Sequence, residues 1–381
     1  HFIKPTLRDV EDYLDDARAR AEVLVFDVET PKTLVLEQVT NKKGATRTKR
    51  TKGARRMTCI GFAHDAHFSM TIPTTLTYWG DELDRVFTLI RELCALPCAK
   101  GAQNNLFDCW WLAQYRVPVT NFVYDTRWMS HALDPLDSHD LGYQASIWTR
   151  EPYWKDDAKE KNEDAEPDAG DIETFWRYNG KDNAVTRELV EVHDVRLRDA
   201  GRQGFYHKSY VRLYEPMLRV GLQGLRVDAE AQATRFKAFR AECVTIQAAL
   251  AAFAGEPLAG KKDLSSKKLT KFLYETLKLP AQRDRKTKGL TAKEVTIRRL
   301  MHKYPDVLGG DDEPDMPGPL ILRHRRAATL SKFVTEATTD TDGRMHAQFG
   351  FTYTLRFTAS KTPNGRGGNT QNTDRELLDL L

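Results

Sequence analysis

The sequence predicts an α/β fold in the first half of the chain and a mostly helical second half. An apolar, β-rich run from Glu22 to Asp27 is typical of a buried strand, and Thr58 to Phe62 is a second candidate. Residues 171–197 show a strong helical pattern. Ala229 to Ala254 is rich in alanine with apolar residues at helical spacing, which predicts a long helix packed along its apolar stripe.

Length and charge divide the chain into two parts. At 381 residues two domains are expected, and we place them at residues 1–200 and 201–381, with the boundary between Asp199 and Gly204. The first part contains 27 Lys and Arg against 34 Asp and Glu, whereas the second contains 31 against 20. A basic second half favours a phosphate-bearing partner such as nucleic acid.

Four carboxylates and one phenol occur on three separated segments. Asp27 and Glu29 end the first strand, and alternate strand residues project from one face, so these two can share a metal ion. Asp108 lies where a loop enters a predicted helix. Tyr178 and Asp182 are one helical turn apart and share a face. Each piece alone is common, but oxygen ligands in this number are what two-metal phosphodiester hydrolysis requires.

The three segments resemble the Exo I, Exo II and Exo III motifs of the DEDDy proofreading exonucleases, as carried by family A (Pol I-like) DNA polymerases. Gln103-Asn104, Asp125-Thr126-Arg127 and His139-Asp140-Leu141 resemble further landmarks of that family. The resemblance implies a ribonuclease-H-like exonuclease domain, with a mixed sheet flanked by helices, that removes nucleotides in the 3′→5′ direction. The second half would then be a mostly helical polymerase thumb.

The resemblance also implies roles for single residues. Two Mg²⁺ or Mn²⁺ ions would be bound, one by Asp27, Glu29 and Asp182 and the other by Asp27 and Asp108. Tyr178 with Glu29 would position the attacking water. The other expected contacts to the terminal nucleotide come from Thr30, from Asn104 and, by stacking on a frayed base, from Phe107.

The second half continues the same resemblance. Residues 212–228 are similar to the segment leading into the polymerase region, and residues 264–274 and 320–332 are similar to the thumb. Thr354 to Ser360 and Gly365 to Asn372 resemble the stretch that holds primer–template, the latter in a form similar to phage enzymes. The implied duplex contacts are Arg356, Gln371 and Asn372, and the implied phosphate contacts are Lys267, Lys268, Arg323 and Arg326. A solvated helix face is the alternative for the arginines.

No palm metal-binding motif follows Asn372, so we expect an exonuclease, a thumb and the beginning of a palm. The rest of the polymerase would be a separate chain or a segment not included, and this chain would degrade primers without extending them. DNA-directed DNA polymerase activity, in DNA replication, would belong to the full-length or assembled protein. The alternatives are a stand-alone repair or RNA-trimming exonuclease and a non-catalytic DNA-binding subunit of a split polymerase.

Two further observations concern location and partners. Five cysteines fit a reducing compartment, and neither a signal peptide nor a run of 18 apolar residues is found. We therefore expect a cytoplasmic protein, in the bacterial host cytoplasm if the source is a phage, without a membrane partner. Residues 41–56 carry eight Lys and Arg and no acids, which predicts a solvated hairpin loop or, alternatively, a basic finger on single-stranded DNA.

Overall fold

The computed structural model describes residues 1–30, 34–40, 46–52, 56–155, 172–260, 263–336 and 339–370. The chain forms two compact units. The first comprises His1–Gly224 together with His346–Gln371, and the second comprises Leu225–Met345. None of the helices in the described ranges combines the length and apolar composition needed to cross a membrane.

The first unit is built on a mixed five-stranded sheet. Strand β1 lies at its centre, antiparallel to β4 on one side and parallel to β6 on the other, in the order β5-β4-β1-β6-β7. Strands β2 and β3 form a separate antiparallel hairpin. The bounds are β1 Val23–Glu29, β2 Leu34–Thr40, β3 Thr46–Lys52, β4 Cys59–Asp65, β5 Phe68–Pro73, β6 Ala99–Ala102 and β7 Phe122–Asp125.

Helices flank this sheet. The longest, α7, packs against β1, β4 and β5, and its polar residues thereby reach the carboxyl end of β1. The bounds are α1 Leu7–Arg20, α2 Leu76–Trp79, α3 Leu83–Ala95, α4 Leu106–Gln114, α5 Thr126–Leu133, α6 Leu141–Trp148, α7 Ile172–Asp199, α8 Gln203–Tyr206 and α9 Arg212–Gln223. The mixed sheet flanked by helices confirms the α/β class predicted for this half.

The second unit is mostly helical, as predicted. Helix α10 spans Ala229–Ala254, the range predicted from the sequence, because Asp228 caps its first turn and Gly255 adopts the left-handed conformation after its last. It packs along α14 through small and apolar side chains. The elements are β8 Leu225–Arg226, α10, α11 Ser266–Lys271, α12 Glu294–Lys303, α13 Pro305–Leu308, α14 Pro317–Glu336 and β9 Arg344–Met345.

A hairpin near the C-terminus of the described chain belongs to the first unit. Strands β10 (Gln348–Phe351) and β11 (Phe357–Ser360) pair antiparallel. The Phe351 ring packs against Trp128 and Tyr210, with ring centroids 5.4 and 5.3 Å away. The sequence analysis assigned this stretch to the second half. Its contact with the first unit could not be predicted, because the contacting residues lie far apart in the sequence.

The predicted boundary at residues 199–204 lies inside the first unit. The chain continues past it into α8 and α9, whose aromatic side chains enter the core of the first unit. The hydroxyl of Tyr206 donates to the carbonyl of Val123 and accepts from the amide of Asp125, each at 2.9 Å. The unit therefore extends to Gly224. The functions assigned to the two parts stay predictions.

Part of the basic stretch predicted as a loop forms strand β3, which pairs with β2 from Leu34 opposite Lys52 to Thr40 opposite Thr46. This strand was not predicted, because basic residues have a low β-propensity. Residues 41–45 and 53–55 lie outside the described residues, as does the acidic segment 156–171.

His193 on α7 is a fully buried histidine with a defined tautomer. Arg196 has only donors, so Nδ1 of His193 accepts from it at 3.3 Å, and Nε2 donates to Oε1 of Gln144 at 2.7 Å. Burial, followed by the charge of Arg196, lowers the pKa of His193 to about 3. The folded protein therefore keeps this ring neutral at a pH where the unfolded chain protonates it.

We expect His193→Gln to remove one source of acid sensitivity. Between about pH 6.5 and pH 3 the unfolded wild-type chain binds a proton at this position that the folded protein lacks. This group therefore stabilises the fold above that window and loses its contribution as the pH falls, by up to about 1.4 kcal/mol per pH unit. Urea unfolding at pH 7, 6 and 5 should show a shallower decline for the variant than for the wild type. Parallel declines would contradict the assignment.

Candidate active site

Three carboxylates converge at the carboxyl end of β1. One oxygen from each of Asp27, Glu29 and Asp182 lies within 4.8 Å of the other two. Asp27 and Glu29 share a face of β1, as the strand period requires, and Asp182 comes from α7. A convergent set of three carboxylate oxygens fits a hard divalent cation such as Mg²⁺ or Mn²⁺.

Asp27 is held by a buried amide on α7. Nδ2 of Asn179 donates to Oδ2 of Asp27 at 2.8 Å and to its backbone carbonyl at 3.1 Å. Oδ1 of Asn179 in turn accepts from the hydroxyl of Thr71 at 3.1 Å. The helix approaches closely at Gly61, which pairs with Asp27 in the sheet, and a Cβ there would overlap the side chains of Asn179 and Asn183. Gly61 therefore sets the distance between helix and strand.

Both oxygens of Asp182 have protein donors. The indole nitrogen of Trp154 donates to Oδ1 at 2.8 Å, and the ammonium of Lys155 donates to Oδ2 at 2.6 Å. Lys155 also donates to the hydroxyl of Tyr178 at 2.7 Å. The sequence analysis missed Trp154 and Lys155. The available signal was an aromatic–lysine pair immediately before the acidic segment, which no spacing rule connects to Asp182.

Tyr178 lies one turn before Asp182, on the same side of α7, as the spacing predicted. Burial and then the charges of Asp182, Glu29 and Asp27 raise the pKa of Tyr178 well above its ordinary value. The phenol is therefore protonated at neutral pH and can donate a hydrogen bond to a group within the cluster.

Asp108 stands apart from the converging three. It lies in the first turn of α4, it is 2% exposed, and its Oδ1 accepts from the amide of Val28 at 3.0 Å. Burial, followed by the charge of Asp27, raises its pKa well above the ordinary range. The structure thus places Asp108 beside β1, electrostatically coupled to Asp27 but outside the cluster of three.

The electrostatics of the cluster favour a bound cation. Burial and then the charge of Asp182 raise the pKa of Asp27 to about 7, while Lys155 and the amide of Asn179 act in the opposite direction. The pKa of Glu29 also rises well above its ordinary value, through burial and the charges of Asp27 and Asp182. Like charges held this close repel one another, and a divalent cation between them would relieve the repulsion.

The loop that carries Asn104 is fixed by the two landmarks noted in the sequence. The carboxylate of Asp125 accepts from the amides of Asn104 and Asn105 at 3.2 and 2.9 Å. The side-chain amide of Gln103 donates through Nε2 to the backbone carbonyl of His139 at 2.8 Å. Asn104 itself adopts a positive φ of 63°, which asparagine tolerates better than most residues. Asp125 and His139 are therefore positioning residues for this loop.

A pocket of about 460 Å³ adjoins Asn104 within the first unit. Arg127, His131 and His139 line it from one side and the β10–β11 hairpin from the other. Arg127 is exposed and forms no ion pair with a residue that the structure describes. Tyr353, which also lines the pocket, is 66% exposed. The pocket thus combines an available cation with an accessible aromatic ring.

The remaining predicted residues are placed as follows. Thr30 follows β1 directly and is half-buried, and Phe107 is half-buried against the core of the first unit. Arg356 is exposed in the β10–β11 hairpin, in the first unit. Gln371 and Asn372 lie outside the described residues.

The predicted phosphate contacts lie in the second unit. Arg323 and Arg326 are exposed on α14 and line a pocket of about 460 Å³ with Arg298 and Arg325. Lys267 is exposed, and the ammonium of Lys268 donates to the carbonyl of Pro257 at 2.7 Å. The arginines lie close together on this surface, where Arg323 also pairs with Glu242 at 3.3 Å and Arg298 with Glu294 at 2.9 Å.

No protein-family model matches the chain. A DNA polymerase I from Synechocystis sp. is 26% identical over 244 residues, which cover 62% of this chain and 23% of that protein. Over this part the chain is similar to a DNA polymerase I. A solved structure, the POL domain of Pol1 from M. smegmatis in complex with DNA primer-template and dNTP, superposes with a TM-score of 0.70 at 15% identity. The match covers 98% of this chain and 56% of that one, so the polymerase I-like fold spans nearly the whole chain.

Proposed function

We propose that the first unit is a ribonuclease-H-like, metal-dependent 3′→5′ exonuclease that proofreads for a family A DNA polymerase, in DNA replication. The observation that carries this proposal is the convergence of Asp27, Glu29 and Asp182 beside a protonated Tyr178. The similarity to DNA polymerase I over part of the chain supports the polymerase context.

The side chains divide the chemistry among them. Asp27, Glu29 and Asp182 would hold one Mg²⁺ or Mn²⁺, and Asp27 and Asp108 the other. Bound cations of this kind polarise a phosphodiester and make a coordinated water more acidic. Tyr178, which keeps its proton, donates a hydrogen bond that orients the water, and Glu29 accepts from it. Asn179 positions Asp27 through the hydrogen bond that it donates to Oδ2.

A single DNA strand whose 3′ end lies at this cluster would pass Asn104 and enter the adjoining pocket. Asn104 and Thr30 contact the terminal nucleotide, with Phe107 beside it. Arg127, which pairs with no acid among the described residues, offers its guanidinium to a phosphate further along the DNA, and the exposed ring of Tyr353 offers a stacking surface for a base. We propose a phage polymerase in a bacterial host cytoplasm as the setting.

The experiment is an end-directed hydrolysis assay. A 5′-labelled single-stranded DNA should shorten from its 3′ end in Mg²⁺ or Mn²⁺ with release of nucleoside monophosphates, and it should stay intact in excess EDTA. The same DNA with a 3′-terminal phosphorothioate should be degraded more slowly, and an RNA of the same sequence shows whether the enzyme trims RNA instead. Internal cleavage, or shortening in EDTA, would contradict the proposal.

The second unit is proposed to bind the phosphates of a primer–template through Arg323 and Arg326. Affinity for duplex DNA falls with log salt concentration at a slope of about −0.9 per neutralised phosphate. We therefore expect Arg323→Gln with Arg326→Gln to flatten that slope by roughly 2, because two charged contacts are lost. Fluorescence anisotropy of a labelled primer–template in EDTA, at several salt concentrations, measures the slope without degradation.

The matched control is Arg8→Gln with Arg20→Gln, which makes the same change in net charge on α1 of the first unit. Its slope should equal that of the wild type. Equal flattening in both double variants would mean that the arginines on α14 act only through the net charge.

A further inference from the structure

Lys155 is a cation placed inside the carboxylate cluster. Its ammonium lies 2.6 Å from Oδ2 of Asp182 and 2.7 Å from the hydroxyl of Tyr178. Its side chain is 15% exposed and that of Asp182 is 7% exposed. Most other ion pairs among the described residues involve well-exposed side chains, such as Arg8 with Asp12. Few solvent molecules can therefore screen the charge of Lys155 from the cluster.

The ammonium of Lys155 engages an oxygen of Asp182 that a metal ion in this cluster would need as a ligand. Oδ1 of Asp182 already accepts the indole N–H of Trp154, so Oδ2 is the oxygen that remains for another positive partner. An ammonium at 2.6 Å and a divalent cation on the same oxygen would repel each other strongly in a site with little water. Either the ammonium of Lys155 or the divalent cation can therefore bind Oδ2 of Asp182, but not both at once.

We propose that Lys155 is the internal counter-ion of this site, and that it exchanges with a divalent cation at Asp182. In the metal-free protein the ammonium neutralises part of the charge of the three carboxylates. When a cation binds, Lys155 leaves Oδ2 of Asp182 and keeps the hydroxyl of Tyr178 as its neighbour. The exchange lowers the affinity for the cation and stabilises the metal-free fold. This inference rests on the proposed function, because it takes Asp182 as a metal ligand.

A second lysine nearby provides a control of equal charge. Lys181 is the residue before Asp182, and its ammonium pairs with Glu151 at 2.6 Å. Both ammonium groups lie over the ring of Trp154, at 5.3 Å for Lys155 and 5.1 Å for Lys181. The two lysines thus share their surroundings but differ in the carboxylate that they pair with.

The test compares Lys155→Met with Lys181→Met in the full 381-residue chain, stripped of metal with EDTA and then dialysed. Isothermal titration with Mn²⁺ should show binding at least about tenfold tighter in Lys155→Met than in the wild type, and close to wild type in Lys181→Met. Without metal, the melting temperature of Lys155→Met should be the lowest of the three. Its rise on adding saturating Mn²⁺ should be the largest.

Several outcomes would overturn the exchange. One is unchanged or weaker Mn²⁺ binding in Lys155→Met. Another is an equal gain in Mn²⁺ affinity in Lys181→Met, which would show a general effect of charge. Asp27→Asn should abolish the binding heat, which locates it in the cluster. If Lys155→Met does not fold, Lys155→Gln is measured by the same criteria, and Lys155→Arg, which keeps the charge, should stay within about threefold of wild type.

The titration needs no DNA, so its result is separable from the proposed function. Tight Mn²⁺ binding in Lys155→Met together with an inactive wild type would overturn the nuclease and leave the exchange intact. Equal Mn²⁺ affinities in a protein that degrades DNA from its 3′ end would overturn only the exchange.

Discussion

The Asp27→Asn variant is expected to lose exonuclease turnover by about 10³-fold, the largest single effect among the site residues. Asp27 lies within the cluster of three, and its charge also acts on Asp108. It is the one carboxylate proposed to serve both cations. Metal ions contribute several kcal/mol to transition-state stabilisation, and every 1.36 kcal/mol corresponds to a factor of ten in rate. Asparagine keeps the shape of the side chain, removes its charge and leaves one oxygen that can still accept from Asn179.

The fold of the variant should be intact and, without metal, at least as stable as the wild type. The pKa of Asp27 is raised to about 7 in the folded protein, so its ionisation at higher pH opposes folding. Replacing the carboxylate with an amide removes this unfavourable contribution to the free energy of folding. Turnover is measured on 5′-labelled single-stranded DNA at saturating Mg²⁺, and the melting temperature at pH 8 in EDTA.

The control is Asp12→Asn, an exposed carboxylate on α1 that pairs with Arg8. It should keep wild-type turnover. Wild-type turnover in Asp27→Asn, or an equal loss in Asp12→Asn, would remove Asp27 from the reaction. A loss of turnover accompanied by unfolding would mean that Asp27 acts through the fold.

The Gly61→Ala variant is expected to lose about 2 kcal/mol of stability, since an added methyl group has no space between sheet and helix. A Cβ at this position would overlap the side chains of Asn179 and Asn183. Because Asn179 donates to Asp27, its displacement should also lower exonuclease turnover in the protein that remains folded. Gly61 is a strand residue whose φ is not in the left-handed region, so the effect comes from contact and not from backbone strain.

Gly204→Ala is the matched control, because a Cβ there meets no atom within 4 Å. Gly204 lies in α8, where alanine is favoured over glycine by up to about 1 kcal/mol, so this variant should be neutral or slightly more stable. Urea unfolding in EDTA and turnover in Mg²⁺ are measured for both variants. A stability within about 0.5 kcal/mol of wild type for Gly61→Ala would show that α7 can move away from β4 at little cost.

Local periodicity predicted much of this site. The strand period placed Asp27 and Glu29 on one face, and the helical period placed Tyr178 one turn from Asp182. Trp154 and Lys155 could not be found in this way, because their contact with Asp182 spans 28 and 27 residues and follows no repeat. The roles proposed for Thr30, Phe107 and the basic residues of the second unit depend on a bound strand, and they stay predictions.

The fold was predictable to a similar degree. Helix α10 has the ends predicted from its alanine content and apolar spacing, and in the structure Asp228 and Gly255 cap those ends. The boundary predicted after the long helix does not coincide with the division into compact units, because the tyrosines that follow it enter the core of the first unit. Strand β3 was not predicted because basic residues have a low β-propensity. The strand forms by pairing with β2.

The β10–β11 hairpin has a consequence for synthesis. The ring of His131 contacts the carbonyl of Thr352 at 3.1 Å across a sequence separation of 221 residues, and Phe351 covers Trp128 and Tyr210. During translation, the ribosome therefore synthesises residues 225–345 of the second unit before the segment that closes the first. A nascent chain in that interval leaves aromatic side chains uncovered, and contacts of such long range form late and slowly. The first unit would thus be among the last parts of this chain to mature, although most of its residues are translated first.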